Sequence, residues 1–225
     1  MEYAYFIGCL ILFVVWLLFF VLRKDLRREM IFGSLLALPF GFVECLLVPE
    51  YWNPSSLFNL IERFGVGLES FFFFAMVGGI AAVSYEVIGK KRTIKIRSKR
   101  KYFFGLFGTT ILIFVCLEVL FTGQTIYNMI VSSLFLAVMT ALERKDLIAQ
   151  IILGGLFFGL IYLLLFGVFA RLFPDYITVA YTLDNLWGII IWGVPLEEIA
   201  MGFGAGACWS TLFEYIQGYR TRDLA

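Results

Sequence analysis

Gly65-Val66-Gly67-Leu68-Glu69-Ser70 and Gly193-Val194-Pro195-Leu196-Glu197-Glu198 stand 128 residues apart, and each opens a long apolar run. A second pair, Lys24-Asp25-Leu26 and Lys145-Asp146-Leu147, is 121 residues apart, with Gly33 or Gly154 at the same distance downstream. Tyr85-Glu86 falls opposite Phe213-Glu214, again at a register of 128. Self-similarity at a fixed register signals a duplicated unit. The change from 121 to 128 gives the second copy the longer outer loop.

The background against which these motifs lie is apolar. Of 225 residues 61% are hydrophobic and only 16% charged, and the mean hydropathy is +0.91. Such a composition belongs to an integral membrane protein rather than a soluble domain. A helix crossing the hydrocarbon needs about 20 apolar residues. Seven runs qualify, roughly Tyr3 to Leu22, Met30 to Val48, Gly65 to Gly89, Tyr102 to Phe121, Ile126 to Leu142, Leu147 to Ala170 and Leu186 to Ile216. Thr122-Gly123-Gln124 supplies the turn that divides the fourth from the fifth. The N-terminus lacks a basic segment and a small-residue cleavage site, so it reads as the first span and not as a removable signal.

With the N-terminus outside, 16 of the 18 Lys and Arg fall in inner segments, leaving only Arg63 and Arg171 outside. That asymmetry fits the positive-inside rule and puts the C-terminus in the cytoplasm. The densest cluster, Lys90 to Lys101, is read as a topology anchor at anionic lipid head groups. The expected fold is therefore all-α and membrane-integral: seven transmembrane helices, in two parallel three-helix repeats joined by a linking helix. The divisions are 1–101 for the first repeat with its basic inner loop, 102–124 for the linking helix and 125–225 for the second repeat. An odd-numbered unit followed directly by its copy would be inverted, so the linking helix keeps both copies parallel. In parallel-repeat transporters the site lies between the halves.

Composition also excludes chemistry. A net charge of +1 offers no basic face for nucleic acid, and the absence of His removes Ser-His-Asp, zinc-protease and His-ligated metal sites. Cys9, Cys45, Cys116 and Cys208 sit in apolar runs without metal or disulfide spacing. No metal and no cofactor is expected. The lipid bilayer is the one certain partner, and the sequence leaves a homo-oligomer open.

Carboxylates remain. An acid within a span costs about 2.5 to 3.5 kcal/mol on insertion scales, so each needs a partner, a proton or a job. Glu44, Glu69, Glu118, Glu197 and Glu198 all fall in the outer half of their spans, without a Lys or Arg at that depth in a neighbouring span. Closely spaced carboxyls in a low-dielectric site cannot all ionise, so a proton-bearing acid is expected among them. Polar bonding that holds the bundle together is the competing role. Glu86 and Glu214 lie 17 residues beyond Glu69 and Glu197, about 25 Å along a helix, and read as anchors at the inner interface. Aromatic faces lining a cavity can stabilise a carbocation, as in cation–π binding. Trp187, Trp192 and Phe72, with Pro195, are the candidate substrate contacts.

At Val194-Pro195-Leu196-Glu197-Glu198 and its altered copy Gly67-Leu68-Glu69-Ser70-Phe71-Phe72, the chain resembles the transmembrane lycopene cyclase domain family in its fused, two-repeat form. The likeness extends over nearly the whole chain through span count, duplication, linking helix and motif position. It implies redox-neutral, acid-catalysed ring closure at an acyclic carotenoid end, with a hydrophobic polyene such as lycopene as substrate. Glu197, retained in the first copy as Glu69, is then the expected acid, and Glu198 its partner or the final base. Gly67 and Ser70 replace Pro195 and Glu198 in the first repeat, so cyclisation at one end only is expected of such a site. Another polyprenoid substrate is the nearest alternative. Outside enzymes, a small proton- or cation-coupled transporter or a lipid-binding protein also suits repeated intramembrane Glu residues. Aromatic prenyltransferases need Asp-rich metal motifs, intramembrane prenyl-protein proteases need His, and rhodopsins need a Lys in the seventh span. None of these is present.

Overall fold

In a computed structural model that describes residues 3–95 and 103–223, the chain is built from helices with two short strand pairs. We number the main elements α1 (Ala4–Leu22), α2 (Arg27–Ala37), α3 (Leu68–Ile88), α4 (Phe103–Leu120), α5 (Thr125–Glu143), α6 (Ile148–Leu172), α7 (Leu196–Trp209) and α8 (Leu212–Gln217). The strands are β1 (Lys91–Lys95), β2 (Ile190–Ile191), β3 (Val194–Pro195) and β4 (Tyr219–Asp223). Among the described residues, five helical segments are long and apolar enough to cross a membrane: Ala4–Leu22, Lys24–Leu47, Leu68–Ile88, Thr125–Glu143 and Lys145–Leu172. Exposed Leu17, Leu18, Leu35, Val138, Leu156 and Leu164 give these helices the greasy exterior that lipid requires. Arg97, Lys99, Arg100 and Lys101 of the basic cluster lie outside the described residues.

Each repeat is held by a pair of facing glycines. A Cβ on Gly78 would meet the backbone of Gly33, and one on Gly206 would meet that of Gly154. Small residues at these positions let α2 approach α3, and α6 approach α7, backbone to backbone. The pairs are equivalent at the two sequence registers.

The Lys-Asp-Leu motifs are equivalent too. Arg23 donates through Nε and Nη2 to Asp25 at 3.0 and 2.8 Å, and Arg144 does the same to Asp146 at 2.8 and 2.7 Å. The remaining donors of Arg23 reach the carbonyls of Glu86 and Lys91, and those of Arg144 reach Glu214 and Tyr219. Each arginine thus ties the start of its second helix to the end of its third. β1 then pairs antiparallel with β4, with Thr93 opposite Thr221, its own equivalent at the 128-residue register. A strand paired with its copy in this way lies on a local two-fold axis. The duplication is a pseudo-symmetry of the fold.

Two expectations change. The run from Leu186 is not helical at its start. Trp192 and Gly193, with φ of 55° and 82°, form the tight turn of the β2–β3 hairpin, and α7 begins only after Pro195. Glu86 and Glu214, expected at the aqueous interface, are fully buried beside the two-fold axis.

Candidate functional site

Between the repeats, toward the end where α3 and α7 start, lies an apolar chamber with a cavity volume of about 110 Å³. Helices from both halves build it, with Phe73, Phe74 and Val77 from α3, and Phe158, Leu165, Phe166 and Phe169 from α6. The segments between α2 and α3 and between α6 and α7 close it with Tyr51, Trp52, Tyr176 and Tyr181. Two carboxyls line it, Glu44 and Glu198.

Glu198 sits in the first turn of α7, and its Oε1 accepts hydrogen bonds from the hydroxyls of Tyr51 and Tyr181, both at 2.8 Å. Its Oε2 accepts from Tyr162 at 2.6 Å. Three hydroxyl donors thus converge on one buried carboxyl and fix its orientation. Burial and the negative charge of Glu198 push the phenols of Tyr51 and Tyr181 well above the ordinary tyrosine range, so both remain donors. These loop tyrosines were not legible as site residues. Tyr162, a polar tip within the aliphatic run of α6, was the one faint signal.

Glu44 reaches the chamber from a different construction. Pro39 breaks the second span into a 3₁₀ stretch, Leu38–Val43, followed by the short helix Glu44–Leu47. Glu44 is 1% exposed, and its Oε1 has no hydrogen-bond partner. Ser70 and Trp52 are the groups beside its carboxyl that can donate, against the three tyrosine hydroxyls on Glu198.

The glutamate present in both repeats behaves differently. Glu69 Oε1 accepts the backbone N–H of Leu57 at 2.6 Å, and Glu197 Oε1 accepts that of Trp187 at 2.5 Å, with the Tyr127 hydroxyl at 3.0 Å. Each is a first-turn carboxyl that secures the loop leading into its helix, and neither lines the chamber. The position that differs between copies, Ser70 against Glu198, is the one that faces the cavity in the second repeat. Glu118 is also remote: it accepts from Thr125 at 3.0 Å and Asn128 at 2.8 Å, joining the end of α4 to the start of α5.

The expected aromatic contacts are displaced outward. Trp187 and Trp192 are more than half exposed on and beside the hairpin, where amphipathic rings suit a membrane interface. Pro195 caps α7 from outside the lining, and Phe72 packs on Phe13 with centroids 5.7 Å apart, one position before the lining Phe73.

Comparison with known families agrees with the duplication. A family model described as lycopene cyclase matches residues 3–88 and 124–216, the two repeats without the loop and linking helix between them. No curated protein and no solved structure shows significant similarity.

Proposed function

Because the matched segments span well over half of the chain, it belongs to the lycopene cyclase family, a membrane-embedded carotenoid cyclase, and we propose that Glu44 and Glu198 carry its proton transfers. The reading rests on one observation: two buried carboxyls with different hydrogen bonding share a single aromatic chamber.

An acyclic carotene end enters the chamber between the repeats. Glu44, whose Oε1 accepts no hydrogen bond, protonates the terminal alkene. A C–H bond forms and a tertiary carbocation results. The neighbouring double bond attacks that carbon and closes the ring, moving the positive charge to a ring carbon. Glu198, held in place by three tyrosine hydroxyls, removes a ring proton and restores a double bond. One proton enters and one leaves, so the product is an isomer of the substrate and no redox equivalent is consumed. The faces of Phe73, Phe158 and Phe166 stabilise the passing cation, and the dry lining protects it from capture by water.

Seven spans complete this picture, with α4 as the linking helix and the kinked α7–α8 pair as the last. The repeats then occupy 1–101 and 125–225, run parallel, and place the N-terminus outside and the C-terminus in the cytoplasm. Only the second repeat brings a glutamate at the Glu198 position, so one end is cyclised per binding event.

Expression in lycopene-accumulating bacteria tests the assignment. Wild-type protein should convert the acyclic pigment into a cyclic isomer, Glu44→Gln and Glu198→Gln should not, and Glu197→Gln should retain measurable conversion. Equal activity of all the variants would remove the carboxyls from the chemistry.

A further inference from the structure

At the inner end of the molecule, away from the chamber, the repeats meet around three carboxyls. Glu29 of α2, Glu86 of α3 and Glu214 of α8 are 2%, 0% and 0% exposed. One oxygen from each lies within 4.8 Å of the others. The fourth side of the cluster is Gln150, which stands at the position of Glu29 in the second repeat and donates its amide to Glu86 Oε1 at 2.9 Å and to the Ser210 carbonyl. Glu86 and Glu214 are likewise equivalents, so the quartet lies about the pseudo-two-fold axis.

The bonding of this cluster is incomplete. Glu29 is buried against Glu86 and Glu214, yet no amide or hydroxyl donor reaches either of its oxygens or Oε2 of Glu86, and the group within hydrogen-bonding reach of Glu29 is the carboxyl of Glu214. The nearby guanidinium groups do not fill the gap. Arg23 and Arg144 spend their donors on Asp25, Asp146 and backbone carbonyls. Unpaired acceptors at this burial are costly unless a cation or shared protons lie among them.

We propose that Glu29, Glu86 and Glu214 bind one divalent, oxygen-preferring cation that fastens the two repeats together at their inner ends. All-oxygen donors select Mg²⁺, Mn²⁺ or Ca²⁺ over softer metals. Three oxygens within 4.8 Å of one another are close enough to converge on one hard cation, whose bonds run from about 2.0–2.1 Å for Mg²⁺ to about 2.3–2.6 Å for Ca²⁺. The site is separate from the chamber and owes nothing to the cyclase reading.

Mn²⁺ is the probe. Purified full-length protein, stripped with chelator in detergent, is titrated with Mn²⁺ and free ion is followed by electron paramagnetic resonance, with Mg²⁺ and Ca²⁺ as competitors. One bound Mn²⁺ per chain is expected. Glu29→Gln should weaken binding by more than the roughly tenfold that loss of an outer-sphere partner costs a metal site. Gln150→Glu, which supplies a fourth carboxylate, should tighten it. Absence of binding to monodisperse wild-type protein would overturn the proposal and leave Glu29 and Glu214 sharing a proton, as would affinity unchanged by Glu29→Gln. Should Glu29→Gln fail to fold, unchanged or weaker binding by Gln150→Glu would overturn it instead.

Discussion

Glu198→Gln should separate activity from stability. The amide keeps the shape of the carboxyl: its oxygen can accept from Tyr51 and Tyr181, and its NH₂ group can donate to the hydroxyl oxygen of Tyr162 after that hydroxyl turns away. Each of the three bonds falls from the charge-assisted class, about 1.5–3 kcal/mol, to the neutral class, about 0.5–1.5 kcal/mol. The loss is about 3 kcal/mol over the set, but a buried charge is removed, which returns a desolvation penalty of several kcal/mol. The two nearly cancel, so the melting temperature in detergent should stay level or rise. Conversion of the acyclic pigment should fall by about 10² to 10⁴, the usual contribution of a positioned acid or base. Chromatography of pigments from the expressing cells, beside thermal unfolding of the purified variant, reads both. Conversion within tenfold of wild type would refute the role of Glu198. Loss of activity with a collapsed melting temperature would instead make the tyrosine cage a structural device.

Other expectations follow from the same geometry. Gly78→Ala drives a Cβ against Gly33 and Ala37, so it should destabilise by about 1–3 kcal/mol as overpacking does, whereas Gly105→Ala meets open space and should not; thermal unfolding distinguishes them. Arg144→Ala should lower the melting temperature more than Arg23→Ala, because the Arg144 side chain is 1% exposed and that of Arg23 16%. Since the folded phenols of Tyr51 and Tyr181 titrate above the unfolded value of about 10, the unfolded chain loses those protons first and stability should decline as pH rises past that value. Unfolding followed against pH should show a shallower decline in the Tyr51→Phe/Tyr181→Phe variant.

What the sequence could convey follows from what is periodic in it. Apolar run lengths located the helices, and the two Lys-Asp-Leu motifs, each preceded by an arginine, marked the ends that fasten each repeat. The rotation of a helix about its axis is not encoded by a pair of adjacent glutamates. Glu197 and Glu198 differ by about 100° around α7, enough to direct one at the loop and the other into the chamber. Retention in both copies favoured Glu197, yet the repeated position is the one both halves use to secure a loop. Equivalent loops need equivalent anchors, while a single chamber needs only one Glu198. The hairpin was hidden because Ile189-Ile190-Ile191-Trp192 is as apolar as a span. Glu29 escaped notice beside Arg27 and Arg28, although Gln150 stands at its matching register and could have flagged a polar pair inside the bundle.

Proton transfer to the polyene is most directly tested by the isotope content of the product. Cyclisation carried out in D₂O and read by mass spectrometry should give a cyclic isomer one mass unit heavier for each ring formed, because an exchangeable carboxyl deuteron is added while a carbon-bound hydrogen leaves. A ring formed without deuterium, or a product differing from the substrate by two hydrogens, would contradict the acid-catalysed account.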